Sequence, residues 1–200
     1  MSETAYPQPA DVSISASGST PLWQPLLLRA LVTLAFGMVT VFWTTPGVVG
    51  LCVCLTSYLL ALAGIQYWTI RALGLARGDT RGLPLLGAAG FLAVAAVVVA
   101  ISASAAVAAW LGGAALAALG AAELIASLRT AKTGRAHALK GDWMISAALG
   151  LGTGILLPFF IATGPHGLLG VAGGGAIMSG ALWALSALTL RHSGSANKKR

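Results

Sequence analysis

The sequence predicts an all-α integral membrane protein with six transmembrane helices, built as three parallel two-helix repeats. Composition, apolar runs and the distribution of basic residues together predict this class. The 200 residues are 57% hydrophobic and 8% charged, with a mean hydropathy of +0.86, whereas a soluble domain carries about 25% charged residues. A surface with so few charges would not stay dissolved in water, so most of the chain is expected to lie in lipid.

Six apolar runs are each long enough to cross a bilayer, which requires about 20 residues. They are apolar on every side, and backbone groups in hydrocarbon must be hydrogen-bonded internally, so each run is predicted to be a helix. The predicted transmembrane domain covers 22–191, between a disordered cytoplasmic tail at 1–21 and a basic cytoplasmic tail at 192–200. The six runs are 22–43, 48–70, 83–101, 105–128, 143–162 and 168–190.

Turn signals separate the members of each predicted hairpin. Thr44 to Gly47 and Thr163 to Gly167 contain the Gly and Pro residues that stop helices. Between the third and fourth runs the only break is the weakly polar segment 102–104.

The basic residues predict the orientation. Of the 12 Lys and Arg residues, Arg29 lies inside a run, and the other eleven follow the second, fourth and sixth helices. The turns after the first, third and fifth helices contain none. By the positive-inside rule, both termini are therefore expected in the cytoplasm. The same arrangement accounts for the net charge of +7, so the predicted partner is the lipid bilayer and not nucleic acid. A homo-oligomer or a membrane-protein partner is left open.

An internal repeat is predicted from residues that recur at the ends of the helical hairpins. Each helical hairpin ends in an arginine, and Arg71, Arg129 and Arg191 are 58 and 62 residues apart. Because each unit contains two spans, successive units run in the same direction, unlike the inverted repeats of many transporters. The predicted units are 22–71, 83–129 and 143–191.

The chain resembles the HdeD-like acid-resistance membrane proteins over residues 22–191. The resemblance rests on the three two-helix units, on the opening WQPLLLRALVTLAFGMVTVFWTTPG at 23–47, and on LLALAGIQYW at 59–68. The family often has an acidic residue before the glycine of the second helix, where this chain has Ala63 before Gly64. The resemblance implies a bacterial cytoplasmic-membrane protein linked to acid or envelope stress, and it implies no known reaction.

Arg29 and Glu123 are the two charged residues inside the predicted spans. Each lies at a similar depth from the basic side, so the sequence predicts an ion pair in the cytoplasmic third of the membrane. Other interpretations stay open. Glu123 is a candidate proton-carrying site or a snorkelling side chain. Arg29 is a candidate anion site, or it marks a shorter first helix that starts at Ala30, after an interfacial segment containing Pro25.

Pairs of glycines four residues apart are predicted to pack helices together, because small residues let helix backbones approach closely. The pairs are Gly150 with Gly154 in the fifth helix and Gly170 with Gly174 in the sixth. The glycine-rich stretch at 150–154 lacks the spacing of a nucleotide-binding loop and follows no strand.

The sequence predicts no catalytic, cofactor-binding or metal-binding residues. The three histidines lie in separate segments, without a second ligand at metal spacing, and no nucleophile elbow occurs. His166, in a predicted external turn, is a candidate acid sensor or simply an exposed turn residue. The predicted function is therefore non-enzymatic, and the resemblance implies that it supports acid or envelope stress tolerance by an unknown mechanism. The alternative is a small proton-linked transporter or channel using Glu123 and Arg29.

Overall fold

The computed structural model describes residues 21–75, 79–80, 82–130 and 135–197, and all regular structure in these ranges is helical. The predicted tails at 1–20 and 198–200 lie outside the described residues. Short 3-10 segments cover Arg135–Leu139 and Leu157–Thr163. The α-helices are α1 (Trp23–Phe42), α2 (Val48–Leu73), α3 (Gly82–Ser102), α4 (Ala105–Leu128), α5 (Lys140–Leu156) and α6 (Gly164–Asn197).

Five helical stretches are long and apolar enough to cross a membrane. The first four are α1 to α4, and the fifth, His137–His192, takes in α5, the 3-10 segment that follows it, and α6 as far as His192. Large apolar side chains cover the outer surface, with Phe42 73% exposed and Ile101 and Phe159 each 77% exposed. Such a surface suits lipid, and the chain is therefore a helical membrane protein.

The weak polar break between the third and fourth runs does separate two helices. α3 ends at Ser102 and α4 begins at Ala105. Between them Ala103 has a positive φ of 45°, a conformation that reverses the chain direction at some cost for a residue with a Cβ. The Ser104 hydroxyl then caps α4 by accepting a hydrogen bond from the Val107 N–H at 3.5 Å.

The first helix does not start late, so the interpretation of a shorter helix beginning at Ala30 is wrong. α1 runs without interruption from Trp23 through Arg29. Pro25 lies within the first helical turn, where the backbone N–H groups have no intrahelical partner, and a missing N–H there costs nothing.

The boundaries between the fifth and sixth runs differ from the prediction. α5 stops at Leu156, before Pro158, which lacks the N–H that would continue the helix. α6 begins at Gly164, with φ of +76°, and Pro165 occupies its first turn. The predicted turn at 163–167 is therefore mostly helix. α6 also continues past 191, so the tail predicted from 192 is helical as far as Asn197.

Arginines at the end of α4 and near the end of α6 hold one end of the bundle together. The Arg129 guanidinium at the end of α4 donates a hydrogen bond to the Thr80 carbonyl oxygen at 2.9 Å, just before α3 begins. Arg191 in α6 lies over the ring of Trp23 at the start of α1, 5.3 Å from its centroid. We call this end, where α1, α3 and α5 begin and α2, α4 and α6 approach their ends, the basic end. Within the bundle, α1 packs along α6, and α4 packs along α5.

Glycines bring α4 and α5 into close contact. A Cβ added to Gly150 would lie 3.2 Å from the Leu116 carbonyl oxygen, and one added to Gly154 would lie 2.6 Å from the backbone nitrogen of Ala117. The facing side of α4 also has a glycine at the contact, since a Cβ on Gly120 would lie 2.8 Å from the Ala147 carbonyl oxygen. Only glycine permits this separation of the backbones.

Gly170 and Gly174 do not pack against another helix of this chain, so that prediction is wrong within the described bundle. Both are exposed, and a Cβ on either would meet nothing within 4 Å. Three glycines of α6 do face a neighbouring helix: Gly173 against Thr40 of α1, Gly175 against Thr153 of α5, and Gly180, whose added Cβ would lie 2.7 Å from Leu34 Cγ. Successive residues on a helix are rotated by about 100°, so a shift of one position changes the face.

Candidate functional site: a buried charged cluster

Two oppositely charged side chains meet inside the apolar bundle. Arg29 Nη1 lies 2.5 Å from Glu123 Oε1, and their side chains are 5% and 1% exposed. Arg29 comes six residues after the start of α1 and Glu123 five residues before the end of α4. At a rise of 1.5 Å per residue, both lie roughly 8–9 Å from the basic end. The two residues therefore lie at the same level, as the sequence predicts, and this shared depth puts them within reach of each other.

Arg29 also contacts three further helices. Its Nη1 donates to Gln66 Oε1 of α2 and its Nη2 to Ser146 Oγ of α5, both at 3.4 Å. Its guanidinium carbon lies over the ring of Trp183 in α6, 4.4 Å from the centroid, within the range of a cation–π interaction. One side chain from α1 therefore touches α2, α4, α5 and α6. We call these five residues, Arg29, Gln66, Glu123, Ser146 and Trp183, the Arg29 cluster.

Ser146 joins two donors of the cluster. Its hydroxyl oxygen accepts from Arg29 and, at 3.2 Å, from Trp183 Nε1. Both side chains are buried, with Trp183 fully enclosed. Because the oxygen accepts both bonds, the Ser146 hydroxyl hydrogen is left over as a donor.

Some polar atoms of the cluster have no hydrogen-bond partner among the described residues. They are Arg29 Nε, Gln66 Nε2 and the second carboxylate oxygen of Glu123, Oε2. Glu123 Oε1 also makes no bond of regular hydrogen-bond geometry, although it lies in the ion pair with Arg29. The two charges still attract strongly at this separation, since charge attraction depends on distance more than on angle. A buried polar atom without a partner is costly, so Oε2 is the chemically notable atom of the site.

A small cavity adjoins the cluster at the centre of the bundle. Its volume is about 30 Å³, and Arg29, Glu123 and Ser146 form part of its wall. Three more residues that carry hydroxyl groups line it, Tyr58, Thr153 and Ser179. Larger grooves, of about 380 and 290 Å³, lie elsewhere and are lined mostly by apolar side chains, including exposed Trp110 and Phe159. The polar chemistry of the interior is therefore concentrated in the small cavity.

The predicted residues divide between this site and its surroundings. Gly150 lines the cavity and also faces α4, whereas Gly154 serves the contact between α4 and α5. His137, His166 and His192 are exposed. No group of three or more His, Cys, Asp or Glu side chains lies together in the part of the chain that the structure describes.

Three members of the Arg29 cluster were missed by sequence reasoning. Gln66 carried a usable signal, because an amide inside an apolar span is costly unless it is bonded. Ser146 and Trp183 carried none. Serines in membrane helices commonly bond to the backbone of their own helix, so a serine does not indicate a polar cluster. Trp183 lies in an apolar run, where an apolar aromatic ring is expected and its N–H gives no further indication.

The chain matches no protein-family model, no curated protein and no solved structure. Fold and site together define its class, a helical membrane protein with a charged cluster buried among its helices.

Proposed function

We propose that this chain is a non-enzymatic multi-pass protein of the bacterial cytoplasmic membrane that supports acid or envelope stress tolerance, as the HdeD-like proteins it resembles do. The observation that carries the non-enzymatic part is the mutual neutralisation of Arg29 and Glu123 inside the bundle. The Glu123 carboxylate is already paired with an arginine. The cavity beside it, about 30 Å³ in volume, is too small for an organic substrate. The stress role rests on the resemblance alone.

The proposed topology has six spans arranged as three two-helix repeats. The stretch His137–His192 contains 56 residues, roughly 84 Å of helix, against a hydrocarbon core of about 30 Å. The break at Leu157–Thr163 and the contact between α5 and α6 support two antiparallel spans in this stretch. Three hairpins of this kind, each ending near an arginine, are the proposed repeat.

The proposed orientation places the basic end in the cytoplasm, on the strength of eleven basic residues that lie near the ends of α2 and α6, at the start of α5 or in the segments that follow α2, α4 and α6. Reporter fusions after Trp43, Ser102 and Thr163 are expected to report the periplasm. Fusions after residues 78 and 134 and after Asn197 are expected to report the cytoplasm. A periplasmic signal at residue 134 would exclude the six-span arrangement.

Survival at low pH tests the stress role. A strain lacking this protein is expected to survive external acid less well than its parent, and expression of the wild-type chain is expected to restore survival. The Gly152→Leu variant serves as a control for expression, because a Cβ at this position would meet nothing within 4 Å. Equal survival of the deletion and parent strains under acid and under envelope stress would reject the proposed role.

A second candidate function is proton-linked transport through Glu123 and Arg29. The unpartnered Glu123 Oε2 beside a hydroxyl-lined cavity favours it, because intramembrane carboxylates often mark proton pathways. Purified protein in liposomes distinguishes the two functions. Proton flux that Glu123→Gln abolishes in a folded protein supports transport, and flux equal to that of empty liposomes rejects it.

A further inference from the structure

The wall of the cavity beside Glu123 contains one hydrogen-bond acceptor that has no donor and one hydrogen-bond donor that has no acceptor. Glu123 lines it, is fully buried, and leaves Oε2 unpartnered. Ser146 lines it too and has a hydroxyl hydrogen left after accepting from Arg29 and Trp183. A small molecule that accepts from Ser146 and donates to Oε2 would satisfy both groups.

The size and charge of the cavity select water as that molecule. A bound water needs about 10–15 Å³ of such space, so about 30 Å³ accommodates one or two. A cation gains little here, because Arg29 already neutralises Glu123. An anion would face the carboxylate, and an apolar molecule would leave Oε2 unpaired. Thr153 and Ser179, which also line the cavity, carry hydroxyl groups that can bond to water.

We infer that this cavity is an internal water site, in which one or two water molecules bridge Glu123 Oε2 and the Ser146 hydroxyl. The inference rests on the cavity and its polar wall, and it holds whether the chain supports stress tolerance or moves protons. Thr153, Gly175 and Ser179 are only half-buried, so the wall formed by α5 and α6 is the thin side of the site.

The two glutamates of the chain make the inference directly measurable. They are Glu3 and Glu123, so a Glu3→Gln chain labelled with carbon-13 glutamate carries a single glutamate carboxyl carbon. In water-edited solid-state NMR of this full-length chain in lipid bilayers, magnetisation is transferred from water protons to nearby carbons. We expect transfer to the Glu123 carboxyl carbon well above the level at labelled leucine methyl carbons, which report lipid-embedded apolar groups.

Two further variants locate the water. Ser179→Val replaces a cavity hydroxyl with methyl groups and narrows the site, so the transfer to Glu123 is expected to be lost. Ala181→Val adds methyl groups at an exposed position of the same helix and is expected to leave the transfer unchanged.

Either of two results overturns the inference. Transfer to Glu123 no greater than to leucine methyl carbons, measured before any cavity residue is changed, means that the site is dry. Full transfer in a folded Ser179→Val chain means that water reaches Glu123 by a route other than this cavity.

Discussion

The Arg29 cluster and the contact between α4 and α5 hold helices together by opposite means. In the cluster, one long charged side chain reaches four other helices through an ion pair, hydrogen bonds and an aromatic ring. Between α4 and α5, glycines without side chains let the backbones touch at the closest points. Lipid provides no hydrophobic force between helices, so both polar contacts and close packing are needed. The cluster depends on charge balance, whereas the glycine contact depends on shape.

The largest expected effect comes from leaving one charge of the pair alone. Arg29→Met or Glu123→Leu singly is expected to lower the free energy of unfolding by about 3–5 kcal/mol, because the remaining buried group loses its partner. The double variant Arg29→Met/Glu123→Leu is expected to regain most of this loss, since no isolated charge remains. Unfolding in detergent, followed with increasing denaturant, provides the measurement.

A charge exchange sharpens this test. In Arg29→Glu/Glu123→Arg the opposite charges are retained, but a carboxylate then faces the Trp183 ring, whose face carries negative potential. We expect the exchanged pair to recover less stability than the apolar double variant. An apolar double variant, Arg29→Met/Glu123→Leu, that is no better than the sum of its singles would mean that Arg29 and Glu123 do not interact.

A smaller effect is expected where only shape is changed. Gly154→Leu forces a side chain against Gly113 and Ala117 of α4 and is expected to cost about 1–3 kcal/mol. Gly152→Leu, two residues earlier in the same helix, has open space and is expected to change little. Equal melting temperatures for the two variants in detergent would show that α4 and α5 do not approach as described.

Depth along a helix could be predicted from the sequence, but rotation about its axis could not. The apolar runs fixed how far Arg29 and Glu123 lie from the helix ends, and that was enough to place them at one level. Gly170 and Gly174 have the same spacing as Gly150 and Gly154 yet point away from the bundle. In spans that are apolar on every side, no stripe indicates the inward face.

The partners of Arg29 show the same limit. Gln66 stands out in an apolar run, but Ser146 and Trp183 become significant only when α5 and α6 are folded against α1. The end of α5 was also misplaced, because a run of apolar residues continues through Pro158 and conceals the change from α-helix to 3-10 helix.

The smallest expected effect tests whether the ring above Arg29 contributes polar contacts as well as bulk. Trp183→Phe keeps an aromatic ring but removes the N–H that donates to Ser146, and it weakens the attraction to the guanidinium. We expect a loss of about 0.5–2 kcal/mol, the range of one hydrogen bond and one cation–π contact. Trp110→Phe in α4 is the matched control, because Trp110 is 64% exposed on the outer surface. If both variants unfold at the same denaturant concentration as the wild type, Trp183 serves the cluster only by filling space.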